Sequence, residues 1–180
     1  MIKYDCIFLD RDGTLNPDPG YISSLEDYEF YEFTIPALRL MSKNNNQFCI
    51  VTNQSGISRG LISKGNLKSI NNFIKEEFKR NGITLIDIYM CFDHPDNASN
   101  YRKPGSGMFL KAKKAYNLEL SKCLMVGDSL KDMEVGNKLG METLLVLTGE
   151  GEKTLDHLND SNLITYKGKN IYEGFKQICH

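Results

Sequence analysis

The sequence predicts an α/β fold with a central parallel sheet and helices on both faces. Short apolar runs alternate with helical patterns along the chain, which is the signature of successive βα units. Several of those runs, Ile7–Leu9 first among them, are continuously apolar, as strands covered on both faces must be. They then stop abruptly at Asp, Thr-Asn or Gly-Asp, at the strand ends where open α/β sheets bind ligands.

In chain order, the first strand is Ile7–Leu9, ending at Asp10-Arg11-Asp12-Gly13-Thr14. Residues 16–33, with Pro17, Pro19 and Gly20, are irregular and too long for a plain connection, as functional loops often are. Thr34 is a candidate cap, with Pro36 in the first turn of a helix to about residue 43. The second strand, 48–51, ends at Thr52-Asn53-Gln54-Ser55-Gly56. Ser63 begins the clearest helix, with Leu67, Ile70, Ile74 and Phe78 on one face and Gly82 past its end. Residues 83–91 contain a third strand, and 93–106 form a polar loop. A helix over 108–116 is expected to bury Ala112 and Ala115. A short strand, 123–126, stops at Gly127-Asp128; a helix over 130–139 closes at Gly140. A further strand spans 143–147. Two weaker helical stretches surround Leu155 and Phe175, with a last short strand at 163–165. No repeat or second-domain boundary appears, so residues 1–180 are expected to form one Rossmann-like domain. No stretch is long enough for a separate cap domain.

The chain has 180 residues and a formal net charge of −1, with no basic stripe. This argues against nucleic acid as a partner but leaves room for a local site for a phosphorylated small molecule. No apolar run reaches membrane-spanning length, and the N-terminus lacks a signal-peptide pattern. A cytoplasmic monomer is the expectation. Cys6, Cys49, Cys91, Cys123 and Cys179 are odd in number and mostly inside apolar runs, which reads as buried thiols in a reducing compartment.

Asp10, Asp12 and Asp128 all follow buried strands. Three carboxylates converging on one edge repel one another unless a cation sits among them. Hard oxygen ligands with no matching histidine or thiolate set favour Mg²⁺. A single Asp after a strand is more simply a helix or turn cap. Asp10-x-Asp12-Gly13-Thr14 combined with Gly127-Asp128 favours the chemical reading. The hydroxyls and turn amides of 52–56 could hold phosphate oxygens, although Thr-Asn is also good turn chemistry. Arg102-Lys103-Pro104 supplies two cations; taken alone it reads as a solvated basic pair.

The order of these four elements resembles that of the haloacid dehalogenase (HAD) superfamily over about residues 4–150. Asp10-Arg11-Asp12-Gly13-Thr14 is similar to its first motif, Thr52-Asn53 to its second, Lys103-Pro104 to its third and Gly127-Asp128-Ser129-x-x-Asp132 to its fourth. The variants Asp-Arg-Asp-Gly-Thr, Thr-Asn-Gln-Ser-Gly-Ile-x-Arg-Gly and Arg-Lys-Pro are similar to those of its heptose 1,7-bisphosphate 7-phosphatases and, next, its histidinol-phosphatases. The resemblance implies a Mg²⁺-dependent phosphatase in which Asp10 is the nucleophile and forms an aspartyl-phosphate. It implies Asp12 as acid and then base, and Thr52 and Lys103 as phosphoryl-binding groups. Mg²⁺ would be held by the Asp10 and Asp128 side chains and the Asp12 carbonyl, with Asp132 orienting Lys103 or metal-bound water. Asp18, Gly20, Tyr21, Asn53, Gln54, Ser55, Arg59 and Arg102 fall where sugar hydroxyls or the retained phosphate would be contacted. For Tyr21, a partly buried loop aromatic is an equally good reading.

Two departures stand out. Ser129 occupies a position where some relatives carry lysine, which suggests weaker grip on a second phosphate. Many relatives also have a zinc loop before Arg-Lys-Pro. Here Cys91, Asp93 and His94 cannot complete a four-ligand set, so zinc is not expected. Cys91 and His94 read as a strand-end thiol and a loop histidine, and His157 and His180 carry no visible role. The leading expectation is removal of the 7-phosphate of a heptose 1,7-bisphosphate, on the route to surface polysaccharide precursors. The alternatives are a histidinol-phosphate phosphatase and a phosphate-binding module without catalysis.

Overall fold

The apolar triplet Ile7–Leu9 (β1) is covered on both faces because it lies inside a six-stranded sheet. The computed structural model describes residues 3–158 and 161–179. The other strands are Phe48–Asn53 (β2), Leu85–Cys91 (β3), Leu124–Gly127 (β4), Glu142–Val146 (β5) and Tyr166–Gly168 (β6), in the order β3-β2-β1-β4-β5-β6. Every pairing is parallel. The helices are Thr34–Ser42 (α1), Lys64–Arg80 (α2), Gly107–Tyr116 (α3), Leu130–Lys138 (α4), Gly151–Asp156 (α5) and Ile171–Cys179 (α6). Among the described residues no segment forms a separate cap, and no helix is long and apolar enough to cross a membrane.

Alternation along β1 divides the core. Ile7 and Leu9 join a cluster with Leu38 of α1, Ile70, Ile74 and Phe78 of α2, and Phe175 of α6. Cys6 and Phe8 join the opposite cluster, with Met108, Phe109 and Ala112 of α3 and Val135 of α4. Phe8 and Phe109 meet edge to face at 5.1 Å between ring centres. The register places the site: Leu9 pairs with Ile50 of β2 on one side and with Val126 of β4 on the other. The chain runs outward from β1 through β2 and β3, then crosses to β4 on the far side. The crevice at that reversal lies beyond the carboxyl ends of β1 and β4, where Asp10 and Asp128 follow.

Local expectations fare differently. The Ser63 side chain caps α2 by accepting from the Asn66 N–H at 3.0 Å, and the apolar stripe of α2 is buried as read. Thr34 does not cap α1. Its hydroxyl donates 2.7 Å to the Leu15 carbonyl, tying α1 to the end of the first motif, and Phe33 takes the cap position. Ala115 is exposed rather than buried, because α3 turns only Met108, Phe109 and Ala112 onto the sheet. The last strand starts at Tyr166, beyond the expected 163–165. Leu163 and Thr165 are bonded to the Thr143 hydroxyl instead of entering the ladder. Residues 16–33 are irregular but anchored, since Ile22 and Tyr28 are buried and Tyr28 packs on Phe30 and Phe73.

Truncating Phe8 leaves a void at the centre of the second cluster. Phe8→Ala is expected to lower the unfolding free energy by about 3–5 kcal/mol, read from urea denaturation.

Candidate active site

Where β1 ends, the Asp10 amide makes one more ladder bond, to the Val126 carbonyl at 2.9 Å, so the Asp10 side chain emerges beside β4. Its carboxylate lies 2.7 Å from the Lys103 ammonium, which sits 2.6 Å from Asp132 on its other side. Lys103 and Asp132 are buried. Asn53, the last residue of β2, holds the Lys103 main chain in a pair of bonds: the Lys103 N–H donates to its carbonyl oxygen (3.0 Å) and its amide donates to the Lys103 carbonyl (3.2 Å). Asp132 enters from the first turn of α4, where its other oxygen accepts from the Ser129 hydroxyl at 2.6 Å.

Asp128 follows β4. Its Oδ2 accepts from the Glu150 N–H at 2.8 Å, and its carbonyl accepts from the Thr154 hydroxyl at 2.9 Å. The carboxylate is wedged between Gly13 and Gly149, both at positive φ, and a Cβ on either would collide with it. The Thr148 hydroxyl donates 2.6 Å to the Gly13 carbonyl, so the β5 loop clasps the first motif. One oxygen each from Asp10, Asp128 and Asp132 lies within 4.8 Å of the others, the single such group of three or more among the described residues.

Asp12 is set apart from that trio. Arg11, fully buried, grips it with Nε at 2.9 Å and Nη2 at 2.8 Å. Asn16 donates to it at 3.0 Å and Gln54 at 2.7 Å, and the Gln54 amide also donates to the Thr52 hydroxyl at 2.9 Å. Burial pushes the Asp12 carboxyl up, but Arg11 first, then Asn16 and Gln54, outweigh it and hold the group below the usual range.

A cleft of about 390 Å³ opens over these groups. Asp10, Asp12, Thr52, Lys103 and Asp128 line it, as do Asp18, Gly20, Tyr21, Asn53, Gln54, Ser55, Arg59 and Arg102. Asp132 does not reach the cleft and acts from behind Lys103. Asn53 and Gln54 face it while most of their polar capacity is committed to Lys103, Asp12 and Thr52. Tyr21 lines the cleft with 43% of its surface exposed. Lys131, Glu150, Ser129 and Pro95 also line the cleft. His157 lies outside it, with Nδ1 2.7 Å from the Lys153 carbonyl; His180 lies outside the described residues.

Sequence reasoning missed Arg11, Glu150 and Lys131. Strict alternation turns Arg11 away from its neighbours, but the chain leaves the strand at Asp10 and alternation ends there. Thr148-Gly149-Glu150 after an apolar run repeats the strand-end pattern of the other motifs and was legible as a site segment.

Within the trio, Asp10 and Asp128 suit a hard divalent cation, since they offer carboxylate oxygens within coordinating reach, while Asp132 commits its two oxygens to Lys103 and Ser129. Burial, then in part the neighbouring acids, push Asp10 up to about 7 against the pull of Lys103, and Asp128 up to about 8. Burial opposes the charge on Lys103, but Asp10 and Asp132 outweigh it and raise its pKa. Both acids bind protons more tightly folded than unfolded. Their stabilising protonation is complete below about pH 4 and is lost as pH rises through about 7 to 8. Asp12, shifted down, acts only below that window. Without divalent cations the melting temperature should therefore decline from pH 5 to pH 8.5, on the order of those limits. Mg²⁺, competing with those protons, should stabilise more at the upper end, and Asp128→Asn should flatten the decline. A Mg²⁺ effect independent of pH would contradict this.

Comparison with known proteins agrees with this geometry. The HAD-hydrolase-like family matches residues 100–175. D-glycero-beta-D-manno-heptose-1,7-bisphosphate 7-phosphatase of Haemophilus influenzae is 36% identical over 167 residues, 86% of this chain and 91% of that protein. D-glycero-alpha-D-manno-heptose-1,7-bisphosphate 7-phosphatase of Photorhabdus laumondii is 31% identical over 173 residues, 91% of this chain and 94% of that protein. The crystal structure of D,D-heptose 1,7-bisphosphate phosphatase from B. bronchiseptica, complexed with magnesium and phosphate, superposes with a TM-score of 0.89. It is 28% identical and covers 97% of both chains. With strand order, motif order and acid trio in accord, the chain belongs to the HAD-like hydrolases, in the family of the heptose-1,7-bisphosphate 7-phosphatases.

Proposed function

We propose that this chain removes the 7-phosphate of D-glycero-D-manno-heptose 1,7-bisphosphate through an aspartyl-phosphate on Asp10. The observation that carries the proposal is the pairing of two features in one cleft. Asp10 sits against Lys103 with Asp128 in coordinating reach, and Arg59, Arg102 and Lys131 stand around the same cleft. One phosphoryl group occupies the Asp10 centre; the outer cations suit a second. The family's named activity supports the same substrate.

In this reading an Asp10 oxygen attacks phosphorus and the bond to the sugar oxygen breaks. Asp12 gives that oxygen a proton. Asp12 then takes a proton from the water that attacks the phosphorylated Asp10, releasing inorganic phosphate. The resting bonds of Asp12 suit the base half. For the acid half it must exchange donors such as Gln54 for a proton, and an arriving phosphate dianion favours that exchange. The Lys103 ammonium has three donors; two point to Asp10 and Asp132, and the third is left for the phosphoryl oxygens, as is the Thr52 hydroxyl on the same cleft. Asp132 and Asn53 position Lys103. Mg²⁺ held by the Asp10 and Asp128 side chains and the Asp12 carbonyl would supply positive charge against the phosphoryl oxygens.

The same reading treats residues 1–180 as one catalytic unit acting as a cytoplasmic monomer. All five cysteines are free, as suits a reducing compartment. It assigns no structural zinc, since Asp93 and His94 are engaged in hydrogen bonds of their own loop. Histidinol phosphate, with one phosphate, makes no use of the outer cations and ranks second.

Phosphate release from both anomers of heptose 1,7-bisphosphate, fructose 1,6-bisphosphate and histidinol phosphate tests the substrate. One heptose anomer should lead the others by about tenfold or more in kcat/KM, about what one well-placed charged contact discriminates. Comparable values for all would remove the heptose assignment. Asp10→Asn should abolish Mg²⁺-dependent turnover of every substrate, and no turnover by the parent protein would favour the binding-module reading.

A further inference from the structure

Arg102 reaches the cleft from the loop between β3 and α3. Residues 95–101 of that loop are all exposed, so no apolar core fixes its shape. Hydrogen bonds must do so, and one residue begins the circuit that ends at Arg102. The Asp93 carboxylate accepts from the Ser99 N–H at 2.8 Å, spanning six residues. The Ser99 carbonyl accepts from the Arg102 N–H at 3.1 Å, and its hydroxyl oxygen accepts from the Tyr101 N–H at 3.1 Å. The Arg102 guanidinium then returns to Asp93, with Nη1 donating to its carbonyl at 3.0 Å. The ring runs Asp93, Ser99, Arg102 and back to Asp93.

We propose that Asp93 is a positioning residue for substrate recognition, holding the Arg102 guanidinium over the cleft by closing this ring. The proposal rests on the reading of Arg102 as a contact for the phosphate that is not removed. A long arginine side chain on an exposed loop samples many rotamers, and anchoring one arm of its fork leaves the remaining donors aimed in a fixed direction. The far side of the loop has its own staple: Asn100 accepts from the Ser106 N–H at 3.2 Å with its side chain and from the Gly107 N–H at 2.8 Å with its carbonyl. Loss of the Asp93 carboxylate therefore releases the Arg102 end of the loop without detaching it from α3.

The test is the ratio of kcat/KM for heptose 1,7-bisphosphate to that for p-nitrophenyl phosphate, which lacks a second anionic group. Asp93→Ala should lower the ratio about tenfold, chiefly through KM for the bisphosphate. Asp93→Asn, which keeps a carbonyl acceptor for Ser99, should recover it to within about threefold of the parent. Asp93→Ala should add nothing to Arg102→Ala, the behaviour of two residues acting as one unit. A ratio lowered by Arg102→Ala but unchanged by Asp93→Ala would overturn the positioning role and leave the substrate reading intact. Multiplying losses in the double variant would also overturn it. A ratio unchanged by Arg102→Ala would remove the Arg102 contact itself, and the inference with it.

Discussion

The Lys103 ammonium, buried between Asp10 and Asp132, is the interaction on which the site depends. An unpaired ammonium at that depth is costly enough to lose its proton or rearrange the fold around it. Its two carboxylates prevent both, and each has a further task. Asp132 caps the first turn of α4 through Ser129, so the ion pair and the helix position each other. Asp10 presents its remaining lone pairs to the cleft. With Asp128 added, three carboxylates face one ammonium, and the two negative charges left over match one divalent cation.

The sheet makes that arrangement rigid. Asp10 and Asp128 leave adjacent parallel strands in register, and Asn53, ending the next strand, clamps the Lys103 main chain. Backbone contact between Gly13 and Gly149 closes around the Asp128 carboxylate with no room for side chains. Asp12 belongs to a second arrangement, an acceptor held by Arg11, Asn16 and Gln54. The two environments move proton affinities in opposite directions: burial raises that of Asp10, and Arg11 with Asn16 and Gln54 outweighs burial to lower that of Asp12.

Much of this was legible in the sequence because it rests on short-range chemistry. Continuous apolar runs ending in Asp or Thr-Asn locate strand ends, and α2 carries both its stripe and its Ser63 cap. Where tertiary contacts decide, reading failed. Thr34 looks like a cap but bonds the distant Leu15 carbonyl, and Thr165 looks like a strand but serves the Thr143 side chain. Arg11 could not be assigned, since the Tyr28 ring it packs on comes from a loop seventeen residues away. Asn53 reads as a substrate contact because nothing in its neighbours reveals that Lys103, fifty residues later, takes both ends of its amide.

Catalysis of this kind requires that Asp10 become covalently phosphorylated. Quenching steady-state turnover with sodium borohydride, which reduces an acyl-phosphate to an alcohol, and sequencing the N-terminal peptide tests it directly. The expected product is homoserine at position 10, dependent on substrate and Mg²⁺. An unmodified Asp10, or reduction at Asp12 instead, would contradict it.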